Sequence, residues 1–489
     1  MSVTSPKVRS LVVPVVQPSG ASPVTLARPP LSTPRLLQAS LVGLAVAVVM
    51  FWIVGAMAIS ESKYGVQTIG HDTAPSVVAA QAIRAHLANL DANAANAGLT
   101  RGQAQAQAWK DYAAEQALLS DYLVSAAQNI TFGDAERKPI LAIETGVQKY
   151  ADLIGQARAL MESVDLKQGS VPDAALALFR RANALINDEL LPAAGALNDA
   201  NESVLNDTWE SRKSAFGKMR FWLIAAALPA LIVLVWLQWT LRARTKRLLN
   251  PGALGATVLI VVVTAWAAID LGASNAALTS AKQDAFDSVR AIWKSRAVAY
   301  SANADESYFL LDGARKVAYG LSFRKKIAEL ADDGFLDAAA RKSVLANVVQ
   351  FRSQDCAADK DSHYAGLLGA ELLNVTFEGE CAAAANAYTT LAAYLDIDSK
   401  IRALDASGQH DAAIGLNVGV KPGESNFAFD AFDKALGAII DINQTAFDAS
   451  IVSAENHLAP LTWIIGVGGL LALALAFLGL RPRLNEYRS

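Results

Sequence analysis

The chain is short of what most enzymes are built from. Its five histidines (His71, His86, His363, His410 and His457) are scattered with no paired spacing. No H-E-x-x-H or C-x-x-C is present to hold a metal. G-x-S-x-G, a P-loop and a glycine-rich strand-to-helix turn are also absent, so no nucleophile elbow or phosphate cradle is written in the sequence. The expectation is a protein with no catalytic residues, no cofactor and no metal. Cysteine is limited to Cys356 and Cys381. An even count in an oxidising compartment reads as one disulfide, and two buried free thiols are the alternative. Zinc does not fit, because only His363 lies between them.

Apolar sequence is abundant. Hydrophobic residues make up 53% of the 489, and mean hydropathy is +0.26, too apolar for an ordinary soluble chain. They concentrate in four runs, Leu37–Ile59, Phe221–Leu241, Leu254–Leu271 and Leu461–Leu480. Each is near the ~20 residues that cross a bilayer as a helix. The only charge among them, Asp270, sits at a run's edge, where it reaches the headgroup zone. That position and a single well-embedded proline, Pro229, give little support to a transport path. "AMA" at Ala56–Ala58 looks like a cleavage site. The run before it is longer than a signal-peptide core, so it reads as a retained anchor.

Charge beside the runs sets topology. Residues 1–35, 242–250 and 481–489 together hold eleven basic groups and one acid, while the rest of the chain is net −13. Both termini and the short loop are therefore expected in the cytoplasm of a bacterial plasma-membrane protein, with two acidic segments outside. Nothing in this distribution calls for a nucleic-acid partner. Residues 1–35 hold seven prolines and form a disordered tail by composition. The remaining plan is spans at 36–59, 221–241, 254–271 and 460–480, a basic loop at 242–253, a tail at 481–489 and outer domains at 60–220 and 272–459.

Periodicity makes both outer segments helical. Ile83, Leu87, Leu90, Ala94 and Ala97 recur at spacings of three and four. Breaks at Gly98–Gly102, Thr131–Asp134 and Gln168–Pro172 divide the first segment into four helices, with caps expected at Asp134 and Ser170. Phe286, Val289, Trp293, Ala297, Tyr300, Ala304, Tyr308 and Leu311 predict a helix continuing from the third span. Further helices are predicted over Glu380–Ala406 and Ser425–Leu458. The fold class is all-α, a membrane protein with four transmembrane helices and two extracytoplasmic antiparallel helical bundles. At an offset of 214, Trp52 matches Trp266 and "ANLD" (Ala88–Asp91) matches "ANAD" (Ala302–Asp305), which suggests a duplicated unit.

Two sets of residues stand out. Asp91, Asn93, Asn96, Asn303, Asp305 and Glu306 lie in the patches "DANAAN" and "ANADES". They either hydrogen-bond across a bundle or face a groove or partner outside. Arg242, Arg244, Lys246 and Arg247, with Arg481 and Arg483, form a cytoplasmic basic surface. It attracts anionic membrane lipid and sets topology, and it is also the candidate coupling surface.

"FWIVGAMAIS" leading into "SVVAAQAIRAHLANLDANAAN", with the return "MRFWLIAAALPALIVLVWLQWTLRARTKRLLNP", resembles the sensor bundle of methyl-accepting chemoreceptors. That family's long signalling hairpin is missing here, so its output mechanism does not carry over. The whole layout, with "YSANADESYFLLDGAR" (Tyr300–Arg315), resembles GlnX-type actinobacterial four-span signal transducers. This resemblance implies relay of an extracellular aspartate or glutamate cue from a solute-binding lipoprotein to a cytosolic serine/threonine protein kinase. A homo-oligomer is compatible with it. A structural scaffold of the cell envelope is the alternative function.

Overall fold

Glycines with positive φ and prolines decide where the helices end. The computed structural model describes residues 33–486 apart from 132, 165, 166, 168, 246–248, 354, 355 and 357–363. Most of the proline-rich tail, Lys246, Arg247 and residues 357–363 of the cysteine-bounded loop, His363 among them, therefore lie outside the described residues. Among those described there is no strand. Four helices are long and apolar enough to cross a membrane: α1 (Pro34–Leu99), α4 (Asp173–Ala243), α5 (Pro251–Leu311) and α11 (Ser425–Asn485). Between α1 and α4 lie α2 (Gly102–Gln128) and α3 (Asp134–Glu162). Between α5 and α11 lie α6 (Lys316–Ala331), α7 (Ala338–Ser353), α8 (Gly366–Leu373), α9 (Glu380–Ala406) and α10 (His410–Val418). The periodicity placed the helices at Glu380 and Ser425 but not α10.

At their apolar ends α1, α4, α5 and α11 form a closed ring, each beside two of the others. Large apolar side chains point outward from it, among them Val46, Ile232, Ile269 and Leu470. Exposed Trp222, Trp266 and Trp463 mark the ring's domain side, and exposed Trp239 marks the opposite end. Indole belts of this kind sit at headgroup level. At the loop end, the Asn250 carboxamide oxygen caps α5 by accepting from Gly252 N (3.0 Å) and Ala253 N (3.1 Å). Its nitrogen donates to the Gly479 carbonyl of α11 at 2.8 Å. A Cβ on Gly252 would fall 2.4 Å from the Leu475 carbonyl oxygen, so only glycine lets these two helices meet there.

Beyond the membrane the long helices are re-phased by one wide turn each: Thr68–Thr73 in α1, Ile186–Leu190 in α4 and Ser280–Phe286 in α5. An extra residue in the turn rotates the helix face, so a stripe that met lipid no longer has to meet the bundle. Thr73 Oγ1 donates to the Thr68 carbonyl at 2.9 Å, satisfying one group the wide turn frees. In α11 the corresponding irregularity is Pro460, which lacks an N–H. The helix continues because Ile464 N donates to the Pro460 carbonyl at 3.0 Å.

The two bundles expected from sequence do not stand apart. Their first helices, the distal parts of α1 and α5, lie along each other at the centre of one core, and α2, α3, α4, α6, α9 and α11 pack around them. From Ala80 to Leu99 nearly every residue of α1 is buried, including Ala82, Ala85, Ala88, Ala92 and Ala95, off the stripe the periodicity picked out. The stripe is real but not sufficient: alanine on the remaining faces lets neighbours approach on every side. The expected caps shift slightly. Gly133 (φ +68°) is the N-cap of α3, with Asp134 its first residue, and Pro172 is the N-cap of α4 in place of Ser170.

Cys356 and Cys381 form a disulfide with Cα atoms 5.8 Å apart, tying the end of α7 to the start of α9. For a sequence separation of 25, closing the loop stabilises by about 3.5 kcal/mol in the chain-entropy model. The double variant Cys356→Ser/Cys381→Ser is expected to unfold at lower temperature by an amount of this order. Thermal denaturation with and without reductant checks it, because only the parent should respond to the reductant.

Candidate functional site

The centre of the core is polar, which is costly unless every buried group finds a partner. Asp91 on α1 is 1% exposed and accepts three hydrogen bonds. They come from Tyr150 OH of α3 (2.9 Å), Asn183 Nδ2 of α4 (2.7 Å) and Tyr308 OH of α5 (2.9 Å). Glu306 on α5, also 1% exposed, has a matching set. It accepts from Tyr394 OH of α9 (3.2 Å), Asn417 Nδ2 of α10 (3.1 Å) and Ser425 Oγ of α11 (2.9 Å). In each half a buried carboxyl on the central helix is thus met by a tyrosine from a helix that follows and an asparagine from further on.

The likeness extends to the turns. "NITF" (129–132) and "NVTF" (374–377) precede α3 and α9. Asn129 Nδ2 donates to Ser76 Oγ (2.7 Å) and the Asp72 carbonyl (3.3 Å); Asn374 Nδ2 donates to Ser288 Oγ (2.8 Å) and the Asp284 carbonyl (3.5 Å). Thr131 N reaches Glu136 Oε2 at 2.8 Å, and Thr376 N reaches Glu380 Oε2 at 2.7 Å. Gly133 and Gly379, both at positive φ, supply the bend into the following helix. The two halves thus repeat one turn and one set of polar pairings, legible in these four-residue matches. The sequence comparison at an offset of 214 missed them because the second copy is longer between its central helix and this turn. One difference is chemical: Glu371, which burial and the neighbouring Glu380 push up to about 8, aligns with Ala126 of the first copy.

Of the six residues expected at an outer groove, five are buried in the core and only Asn93 is partly exposed. Asn96 Oδ1 accepts from Ser307 Oγ at 2.7 Å, across the seam between α1 and α5. Asp305 accepts from Lys326 Nζ at 2.6 Å, and Asn303 Oδ1 has no hydrogen-bond partner. The groove reading is corrected: these five are enclosed in the core, where Asp91 and Asn96 bond across to α5 and Asp305 and Glu306 bond within the second copy. Outside the polar centre, Arg180 of the first copy grips Asp312 of the second through Nε (2.6 Å) and Nη2 (2.5 Å).

The membrane's far end collects the basic residues. Arg242 at the end of α4 and Arg481 on α11 are exposed, with Arg483 half-buried. The Arg244 side chain lies outside the described residues together with Lys246 and Arg247. Leu37, Leu237, Leu241, Ala253 and Leu480 pack beneath them, joining all four membrane helices. Among the described residues no group of histidine, cysteine or carboxylate side chains is placed to hold a metal.

Residues 65–210 match the family model of the actinobacterial sensor domain. That stretch is the first copy, from the wide turn of α1 to the part of α4 short of the membrane. The match and the four apolar helices fit an actinobacterial membrane sensor or transducer. No curated protein matches the chain. A solved structure, described as the crystal structure of MATE in complex with MaD3S, aligns over 88% of this chain and 99% of its own. Its identity is 12% and its TM-score 0.20, too low to carry an argument.

The central carboxyls titrate away from their ordinary range. Burial pushes Asp91 up to about 6, against the lowering hydrogen bonds from Asn183, Tyr308 and Tyr150. Burial, then the nearby Asp398 carboxylate, pushes Glu306 up to about 8. A carboxyl raised in the folded state holds its proton more tightly than in the unfolded chain. Its contribution is therefore present at acid pH and is lost as pH rises through the folded value. Glu306→Gln, which cannot ionise, is expected to be nearly neutral near pH 5. Above pH 8 it should be more stable than the parent by on the order of 3 kcal/mol. Melting curves of both proteins across this range check the divergence; parallel curves would remove the ionisation from the account.

Proposed function

We propose that this chain is a signal transducer with its helical domain outside the plasma membrane and both termini and the basic loop in the cytoplasm. It carries a state, not a reaction: it has no catalysis of its own and passes a relative movement of its two copies inward. The observation that carries the reading is continuity. The four long helices run between the shared polar core and the membrane ring, and each copy contributes two of them. A change in how α1 sits on α5 therefore changes how the four ends present themselves at the loop. Such a movement transmits only if an effector binds the two arrangements with different affinity.

The resemblance to GlnX-type transducers supplies the finer proposal. A solute-binding lipoprotein loaded with aspartate or glutamate docks on the outer domain, and a cytosolic serine/threonine protein kinase reads the inner face. Arg242, Arg244, Lys246 and Arg247, with Arg481 and Arg483, form that face. Anionic lipid attracts the same cations, at about 1 kcal/mol each near the surface.

The test is to neutralise Arg242, Arg244, Lys246 and Arg247 together, confirm topology by terminal tags, and crosslink in intact cells with and without added acidic amino acids. The parent is expected to yield an envelope lipoprotein and a cytosolic kinase, with the kinase crosslink dependent on the amino acid. The variant should keep the first and lose the second. Unchanged kinase capture by the variant would remove the loop from the coupling surface. Partners that ignore the amino acid would favour a scaffold.

A further inference from the structure

A second polar feature lies outside the seam. Where α1, α4 and α5 come together beside α6, a cleft of about 480 Å³ opens between the two copies. Its charged groups balance: Arg84, Arg290 and Lys294 against Asp199, Glu202 and Glu329. Two of these pairs are closed. Arg290 hydrogen-bonds to Glu202, and Lys294 Nζ lies 3.1 Å from Glu329 Oε1. One charge of each sign is left over. Among the described residues, Arg84 makes no ion pair or hydrogen bond. Asp199, exposed at the mouth of the cleft, has no cationic partner and accepts only a weak bond from Asn198 at 3.4 Å.

The cleft also holds polar atoms that the protein leaves unsatisfied. Gln81 is 3% exposed and lines the cleft with its Oε1 unpartnered; Asn198, 7% exposed, leaves its Oδ1 unpartnered; the Arg290 Nε is likewise free. Leaving such groups buried and unpaired costs about 1–3 kcal/mol each, a cost that ordered water or a bound molecule in the cleft would offset. A cavity of this size takes a small molecule. The free cation calls for a carboxylate, the free anion calls for an ammonium, and the amide oxygens call for further N–H or O–H donors.

We propose that this cleft binds a small zwitterion of the free amino-acid class directly, its carboxylate on Arg84 and its ammonium on Asp199. The inference goes beyond transduction through a docked lipoprotein: it gives the chain a ligand of its own. The ligand would touch α1 and α4 of the first copy and α5 of the second, three helices that enter the membrane. Its occupancy thus bears on the relation between the copies.

The test uses the purified full chain in lipid nanodiscs. Thermal unfolding is followed with each proteinogenic L-amino acid, then with the deaminated and decarboxylated analogues of any that bind. At least one amino acid is expected to raise the unfolding midpoint, and its single-charge analogues should not. Arg84→Met and Asp199→Asn should each weaken binding tenfold or more. Since neither residue is ion-paired, the ligand-free midpoints should hold, and Arg84→Lys should recover part of the affinity. No response to any amino acid, or a response that survives both variants undiminished, overturns the assignment. Binding is read on the chain alone, so its failure leaves the transduction reading standing, and the reverse also holds.

Discussion

The fold depends on two alanine-rich helices lying along each other and on how few polar contacts fix their register. Ala80, Ala85, Ala88, Ala95, Ala297, Ala302 and Ala304 are buried in and around this seam. Side chains this small allow close approach but offer little shape to lock one position. Register comes instead from Asp91 accepting from Tyr308 and from Asn96 accepting from Ser307, both across the seam. A buried carboxyl without its donors is expensive, so the helices cannot slide continuously. They can only exchange one complete set of partners for another, which is the requirement for a two-state element.

The likeness of the two halves is centred on the seam. Each copy is a membrane helix, a bundle and a returning membrane helix, and each buries a carboxyl against a tyrosine and an asparagine of its own. The first copy's Asp91 also takes a hydroxyl from the second, and Arg180 reaches across to Asp312. The copies are therefore joined by a limited set of polar links outside the membrane and, within the ring, by the packing of α1 on α11 and of α4 on α5. Between those two anchor points the wide turns of α1, α4 and α5 are the irregular elements that could absorb a small rotation.

Much of the architecture was legible from local signals. Apolar runs of spanning length, positive-φ glycines and prolines gave the four membrane helices and most of the helix ends. The turns "NITF" and "NVTF" carry the repeat more directly than the Ala-rich stretches, whose matches are common by composition, but the offset of 214 passes over them. What could not be read was which copy packs on which. For Asp91, Asn96 and Glu306 a bond across a bundle and a place in a groove stayed open, because helical periodicity describes one helix in isolation. A helix enclosed on all sides shows no polar face, and its buried polar residues pair with groups far away in sequence. The cleft was illegible for the same reason: Arg84, Asp199 and Arg290 come from three helices, and nothing in their spacing brings them together.

The central claim is that the polar seam sets the arrangement of the membrane ends. The most direct measurement is the distance between spin labels placed at Arg242 and Arg481, one in each copy, by double electron–electron resonance on the full chain in nanodiscs. Both positions are exposed, and the native cysteines are tied up in their disulfide. Comparing the parent with Tyr308→Phe, which removes one cross-seam donor to Asp91, is expected to shift or split the distance distribution while the helical content stays the same. Superimposable distributions would contradict the account, because the seam could then be altered without the membrane ends registering it.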